Sequence, residues 1–166
     1  AHQNYQMFWR SLRTWAGFTP TQLEQLDAIR DGFADVMKAR LEEVWASKLG
    51  LTSHNPELVQ QLIALMRATS VDYTLFFREL SALPRALEPL KASFYEPHAA
   101  DEGGWNSWLV AWRSALGIGA RTEDQVSSQM RAVNPKYVLR EWHLAPAYRE
   151  AAEGRYDRIR ELQTVM

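Results

Sequence analysis

The chain has 166 residues, of which 46% are apolar, 23% are charged and none is cysteine. This length and balance are typical of a globular domain and argue against disorder, and the lack of cysteine excludes disulfides, thiolate metal ligands and a cysteine nucleophile. The net charge of −1 provides no basic excess for neutralising phosphates, so nucleic acid is not an expected partner.

Hydrophobic spacing predicts helices along the whole chain. Nowhere do β-branched and aromatic residues alternate with polar ones in the manner of a strand. We therefore predict an all-α fold, an irregular assembly of about eight helices that forms a single helical domain over residues 1–166. No apolar stretch reaches the ~18 residues of a membrane-spanning helix, so a membrane is not an expected partner either.

The N-terminal third carries two predicted helices. In residues 4–15, apolar side chains recur at helical spacing. Thr19, Pro20 and Gln22 form a capping-box start for the longest helix, which we expect to end before Gly50, a residue suited to the left-handed position after a helix. Its predicted buried stripe consists of Leu23, Leu26, Ile29, Phe33, Met37, Leu41, Val44 and Leu49.

The middle of the chain contains two more helices and a long loop. Asn55 followed by Pro56 predicts a helix start. The inner face of this helix is predicted to comprise Val59, Leu62, Ile63 and Met66. A further helix is expected to begin around Ser70, with an apolar side formed by Tyr73, Phe76, Phe77 and Leu80. Residues 82–104 contain several prolines and glycines and are predicted as loop, with a short helix around 86–94.

A tryptophan-rich helix follows this loop. Its apolar residues are Trp105, Trp108, Leu109, Trp112 and Leu116. Gly117 and Gly119 are expected to end it. Thr122 and Gln125 form a second capping box, which predicts another helix start. The apolar residues of that helix are Val126, Met130 and Val133.

The last part of the chain is predicted to form two helices. Asn134 with Pro135 indicates the start of the first. Its inward face is expected to comprise Val138, Leu139 and Trp142. Pro146 is expected to break or kink this helix near His143, because proline removes a backbone donor and its ring clashes with the preceding turn. Asp157 is the expected cap of the final helix, whose apolar residues are Ile159, Leu162 and Val165.

The seven tryptophans are the most unusual feature of the composition, and three of them lie close together in the sequence. Trp105, Trp108 and Trp112 share one side of a helix, where their rings could stack on a base or hold a cation. Large aromatic residues at this spacing more often form a core, and we favour that interpretation. A weaker hypothesis is a small-ligand pocket lined by Trp105 and Trp112.

A column of carboxylates lies along the longest predicted helix. Asp27, Asp31 and Asp35 recur every four residues, a pattern that could supply oxygen ligands to a hard cation. Arg30 and Lys38 each follow an aspartate by three positions, which favours local ion pairs on a solvated face. We expect this face to point away from the apolar stripe and predict no metal site on it.

The remaining titratable residues do not form a recognisable catalytic motif. No two of the four histidines, His2, His54, His98 and His143, have the spacing of a zinc pair. His143 is interpreted as a packing histidine beside the Pro146 break. Glu42 and Glu43 are adjacent and therefore point to different helix faces, which excludes a carboxylate dyad. We accordingly predict no catalytic, cofactor-binding or metal-binding residue in this chain.

Three segments carry a resemblance to a known family. The stretch from Asn134 onward, NPKYVLREWHLAPAYREAAEGRYDRIRELQTVM, resembles the closing helical region of the selenoprotein O (SelO/YdiU) family. Two earlier segments are also similar to segments of this family. The first contains Trp9, Leu12 and Trp15. The second contains Asp72–Tyr73–Thr74, Phe77–Arg78 and Leu80–Ser81. The sequence departs from the family at Pro146, where many members have an uninterrupted helix, and at Arg155, where an acidic residue is common.

The resemblance implies a specific activity for a longer protein. Members have a protein-kinase-like fold and act as adenylyltransferases, which use ATP and magnesium to transfer AMP to Ser, Thr or Tyr hydroxyls of protein substrates. The catalytic groups of the family lie in the two-lobed part that precedes these helices and have no counterparts here. The implied partners are therefore the N-terminal kinase-like part of the same polypeptide and the protein substrates, and the implied compartment is the bacterial cytoplasm or the mitochondrion rather than the exterior.

Both ends of the chain stop inside a helical pattern, so we expect a C-terminal fragment of a longer polypeptide. In this interpretation the segment supports the catalytic part and does no chemistry itself. The alternative that the sequence leaves open is a stand-alone helical module that docks a protein partner through its aromatic faces.

Overall fold

The computed structural model describes residues 2–15, 17–97 and 100–165. These residues form eight α-helices and one 3-10 helix. Their bounds are α1 His2–Arg13, α2 Pro20–Lys48, α3 Pro56–Thr69, α4 Tyr73–Leu80, the 3-10 helix Glu88–Ser93, α5 Glu102–Ala115, α6 Glu123–Val133, α7 Glu141–Ala152 and α8 Asp157–Val165. In these ranges the only extended pairings are the isolated bridges Val71–Phe94 and Ile118–Arg121. The predicted all-α class is therefore confirmed.

The chain divides into two compact units, residues 1–45 and 46–166, with the boundary inside α2. In the first unit α1 packs on the early part of α2. The rings of Tyr5 and Phe33 are stacked with centroids 3.8 Å apart, and the indole N–H of Trp9 donates to Asp27 at 3.2 Å. No helix in the described part of either unit combines the length and apolar character that a bilayer crossing requires.

Short sequence patterns correctly predicted both ends of α2. The backbone N–H of Thr19 donates to the Gln22 amide oxygen at 2.9 Å, and the Gln22 N–H donates back to Thr19 Oγ1 at 3.3 Å, which is the predicted capping box. Gly50 has a φ of +68°, as predicted for the residue that reverses the chain after a helix.

The predicted buried stripe of α2 is wrong at three positions. Ile29, Leu41 and Val44 are half exposed or more. Within the first unit, the helix available to cover them is α1, which at about 1.5 Å per residue measures about 18 Å. The 29 residues of α2 extend over about 43 Å, so much of its length has no covering helix in that unit.

The core of the second unit lies among α3, α4, α5 and α6. Its largest enclosed side chains are Leu49, Leu62, Phe76, Phe77, Leu80, Leu90, Trp105, Trp108, Leu109, Trp112, Leu116 and Met130. The helix pairs α3 with α5 and α7 with α8 are in contact, and α4 packs on the 3-10 helix. This 3-10 helix corresponds to the short helix predicted around 86–94.

Two helix starts in the second unit differ from prediction. Ser70 was expected near the start of a helix but adopts a φ of +55° at the end of α3, and α4 begins at Tyr73 because the Asp72 carboxylate accepts the Leu75 N–H at 3.0 Å. Similarly, Asp101 caps α5 and draws residues 102–104 into the helix, although they were predicted as loop.

The prediction that Asn134 and Pro135 open a helix is also wrong. Asn134 ends α6, and residues 135–140 form no helix before α7 begins at Glu141. The expected inward face is exposed at Leu139 and Trp142. Pro146 does not break α7, which continues through it from Glu141 to Ala152. The proline removes a single backbone hydrogen bond, the one to the Trp142 carbonyl.

Asp157, the expected cap of the last helix, is instead the first residue of α8. Its carboxylate lies 3.3 Å from the Arg160 guanidinium, one turn further along the helix. Of the apolar residues predicted for this helix, Ile159 and Leu162 are partly buried and Val165 is exposed.

Candidate functional site

The three tryptophans of α5 are core residues. Trp105 and Trp112 are 0% exposed and Trp108 is 2% exposed, which confirms the favoured interpretation and contradicts a pocket lined by Trp105 and Trp112. Each indole N–H donates to a partner inside the second unit at 2.8–2.9 Å, as burial of an indole requires. The acceptors are Thr69 Oγ1, Leu58 O and Leu49 O, respectively. The hydrogen bonds and the stacked Trp108 and Trp112 rings therefore fix α5 against α3 and the end of α2.

The carboxylate column of α2 is not a solvated face throughout. Asp27 is partly buried and accepts from Trp9 and Arg13 of α1, and the Arg13 hydrogen bond holds the pKa of the Asp27 carboxyl below its usual value. The predicted Asp27–Arg30 pairing is wrong, because Arg30 pairs with the adjacent Asp31 at 2.7 Å. Asp35 is exposed. Within the described residues, no three His, Asp or Glu side chains lie close enough together to hold a metal ion.

The histidines and paired glutamates are dispersed. His98 lies outside the described residues, as does the side chain of His2, and His54 is partly buried. His143 is exposed and contacts the Trp142 ring with centroids 5.6 Å apart, so the packing interpretation is wrong. Glu42 is partly buried and Glu43 is exposed beside Arg40 at 2.6 Å, as expected for two neighbours on different faces.

The structure brings two of the family-like segments together around a buried amide. Asn134 is 0% exposed, and its amide oxygen accepts from Lys48 Nζ at 2.9 Å. Its amide nitrogen donates to the Lys48 carbonyl at 2.9 Å and to Ser81 Oγ at 3.1 Å. The Arg78 guanidinium donates to the Asn134 carbonyl at 3.2 Å. We call these four residues the Asn134 junction.

Lys48 occupies an unusual environment in this junction. Its ammonium group lies 4.6 Å from the centroid of the Phe77 ring and 5.1 Å from that of Tyr73, in addition to its bond to the Asn134 oxygen. Burial lowers the pKa of the Lys48 amine, because desolvation disfavours its charged form. The neutral amide of Asn134 therefore supplies the oxygen partner of a partly desolvated cation.

A second link joins the same two segments. The Arg140 guanidinium lies 2.9 Å from the Asp72 carboxylate that caps α4, and the Tyr95 hydroxyl donates to that carboxylate at 3.4 Å. The Leu75 backbone N–H, followed by Arg140, holds the pKa of the Asp72 carboxyl below its usual value. Neither this pair nor the junction was predicted, because a distance of 68 or 86 residues along the chain leaves no local pattern.

Beside the Asp72–Arg140 pair the surface forms two adjoining recesses, which we call the α7 cleft. The first, of about 350 Å³, is lined by Asp72, Thr74, Leu75, Tyr95, Lys136, Tyr137, Val138, Arg140, Trp142 and His143. The second, of about 280 Å³, is lined by Tyr137, Val138, Leu139, Trp142, His143, Arg158, Glu161, Leu162 and Val165. Both contain the Trp142 ring, which is 63% exposed. Helical spacing predicts Trp142 on an inner face, so nothing in the sequence indicated this cleft.

Comparison with known proteins gives a consistent result over the whole chain. The family model described as protein adenylyltransferase SelO matches residues 1–166. The proteins named protein nucleotidyltransferase YdiU from Thioalkalivibrio sulfidiphilus and Aromatoleum aromaticum are 34% and 35% identical over 146 and 144 residues, which are 85% and 82% of this chain and 28% of each relative. A protein of the same name from Pseudomonas aeruginosa is 30% identical over 164 residues, 95% of this chain and 33% of the relative.

The chain thus spans about three tenths of the length of the curated relatives that it matches. Two of the three segments that carry the resemblance, those at residues 72–81 and from Asn134 onward, are joined by hydrogen bonds in the second unit, through the Asn134 junction and the Asp72–Arg140 pair. Because the family model covers every residue, the chain belongs to the protein adenylyltransferase SelO family of protein nucleotidyltransferases.

Proposed function

We propose that this chain is the C-terminal helical portion of a protein adenylyltransferase and that it supports the catalytic part without supplying a catalytic residue. In the whole protein, ATP and Mg²⁺ bind outside this chain, and AMP is transferred there to Ser, Thr or Tyr hydroxyls of protein substrates. The proposed partners are the kinase-like part of the same polypeptide and those substrates. The proposed compartment is the bacterial cytoplasm or the mitochondrion.

The observation that carries this proposal is that several family-like residues form hydrogen bonds inside the second unit. Asn134, Arg78 and Ser81 direct their polar groups into the interior of the second unit and bond to one another or to Lys48. Catalytic groups instead have to reach a reacting atom in a cleft. Residues engaged in this way position helices, which supports a structural role for the segment.

The first unit adds a second line of support. Four apolar side chains of α2 are at least half exposed, namely Ile29, Val36, Leu41 and Val44. Exposed apolar side chains on one helix are typical of a surface that contacts another protein part. The remaining part of the nucleotidyltransferase would supply such a contact. The same observation also supports the alternative, a stand-alone helical module that docks a protein partner.

The gene sequence upstream of the Ala1 codon separates these two functions. A continuous reading frame that encodes a kinase-like region supports the adenylyltransferase proposal. A start codon at that position supports the stand-alone module and contradicts the proposal.

An activity assay tests the absence of catalytic residues. The 166-residue chain and the product of the whole reading frame are each incubated with labelled ATP, Mg²⁺ and a protein acceptor. Label transfer is expected only for the longer product, and transfer by the chain alone contradicts the proposal. In the longer product, Asp72→Asn should lower the melting temperature and leave kcat unchanged, while the exposed control Asp35→Asn should change neither. A loss of kcat at an unchanged melting temperature would assign chemistry to Asp72.

A further inference from the structure

The α7 cleft combines exposed aromatic rings with cationic side chains. The Trp142 ring lies next to the Arg140 guanidinium, 5.2 Å from its centroid, and next to the His143 ring, with centroids 5.6 Å apart. The Lys136 ammonium lies 5.1 Å from the centroid of the Tyr137 ring. With 63% of its surface exposed, the indole offers a flat aromatic surface on which a planar ligand can stack.

The charges of the first recess leave a cationic excess. The lining of that recess contains Asp72, Arg140 and Lys136. Arg140 pairs with Asp72 at 2.9 Å, so the exposed Lys136 leaves the lining with a net positive charge. The Thr74 hydroxyl is a further donor on the same lining, whereas the Tyr95 hydroxyl donates to Asp72. This end of the cleft is therefore suited to an anionic group such as a phosphate or carboxylate.

The second recess has a different character. Leu139, Leu162 and Val165 give it an apolar wall, and its two charged residues, Arg158 and Glu161, are of opposite sign. Trp142 and Tyr137 belong to both recesses, so a ring stacked on them would lie between the cationic end of the cleft and its apolar wall. The first recess alone has about 350 Å³, within the usual size range of small-molecule sites.

From these features we propose that the α7 cleft is a binding site for a planar anion, a small molecule that joins an aromatic ring system to a phosphate or carboxylate group. Trp142 stacks on the ring, and Lys136 with the Asp72-oriented Arg140 binds the anionic group. The site is made wholly of residues in the second unit. It therefore does not depend on the role proposed for the chain within an adenylyltransferase.

The test measures equilibrium binding of four probes to the purified 166-residue chain by titration calorimetry. AMP carries both a ring and a phosphate, adenosine only the ring, inorganic phosphate only the charge, and octanoate an anion on an aliphatic chain. Saturable binding of AMP is expected. It should be at least about tenfold tighter than that of phosphate or octanoate, which have no ring to stack, and about fivefold tighter than that of adenosine, which lacks the anionic group. Equal binding of phosphate or octanoate overturns the proposal, as does the absence of saturable AMP binding.

Matched variants locate the bound probe. Trp142→Leu is expected to weaken AMP binding about tenfold, and Lys136→Gln about fivefold. The controls Trp15→Leu and Lys38→Gln remove an exposed tryptophan and an exposed lysine of the first unit and should leave the affinity unchanged. Thermal unfolding verifies that all four variants are folded, which is expected because each replaced side chain is exposed. An unchanged affinity in either cleft variant, or an equal loss in the controls, overturns the proposal.

Discussion

Replacing Asn134 by alanine removes the centre of the Asn134 junction. The substitution deletes one hydrogen bond from a charged donor, Lys48 Nζ, and two bonds donated by the amide, to the Lys48 carbonyl and to Ser81 Oγ. Bonds to charged groups contribute about 1.5–3 kcal/mol and neutral ones about 0.5–1.5 kcal/mol each. Since Asn134 is fully buried, we expect a loss of about 3–5 kcal/mol in the free energy of unfolding.

Urea denaturation, followed by tryptophan fluorescence and circular dichroism, measures this loss. With a slope of about 2 kcal/mol per molar urea, the unfolding midpoint should fall by about 2 M. Asn106 provides a matched control, because it is an exposed asparagine of α5 and its replacement by alanine should change the stability by no more than about 0.5 kcal/mol.

A double-mutant cycle identifies the interaction responsible. If the Asn134 amide stabilises the fold through Lys48, Lys48→Met and Asn134→Ala should be coupled by about 1 kcal/mol or more. A loss below about 1 kcal/mol for Asn134→Ala, or additive effects of the two substitutions, would refute the reasoning that this amide unites the end of α2 with α4 and α6.

Three further substitutions test the fold. In a thermal or urea melt, Trp112→Ala should lower the free energy of unfolding by about 3–5 kcal/mol, because its ring is enclosed. Trp142→Ala should lower it by less than about 1 kcal/mol, because that ring is exposed. Equal losses would contradict the burial of the α5 tryptophans. Gly50→Ala should destabilise more than Gly117→Ala in the same melts, since both have positive φ but only the first new Cβ would meet a neighbour, Met130 Sδ, at 2.7 Å. For Asp72, the lowered pKa means that its stabilisation is present above 3.8, the ordinary value, and is lost as the pH falls through the folded value. The difference in unfolding free energy between the wild type and Asp72→Asn, about 1 kcal/mol at neutral pH, should therefore shrink towards zero in acid, and a constant difference would contradict the ion pair.

Signals confined to a few residues predicted the structure well. The capping box of Thr19 and Gln22, that of Thr122 and Gln125, and the positive φ of Gly50 all formed as the sequence indicated. Each depends on atoms within about one helical turn, so its outcome is decided before distant parts of the chain meet. The same holds for the period of the apolar residues, which identified nearly every helix.

Signals that depend on distant partners were misread. The stripe of α2 has the correct helical period, yet Leu41 and Val44 are exposed because periodicity does not tell how long the covering helix is. Asn134 before Pro135 has the local pattern of a helix start, but its side chain bonds to Lys48 and Ser81 instead of capping the next helix. A tertiary hydrogen-bond network thus prevailed over a local preference worth about 1 kcal/mol.

The candidate site also depends on which residues cover a helix face, and helical spacing does not reveal this. Trp112 and Trp142 both lie at positions that helical spacing assigns to an inner face, but only Trp112 has a carbonyl within reach of its indole N–H and rings on which to pack. The main helix contact of α7 is with α8, and Trp142 remains 63% exposed. The chain therefore leaves a large aromatic ring exposed beside Arg140 and His143, and such a ring is available for contact with another molecule or with another part of the protein.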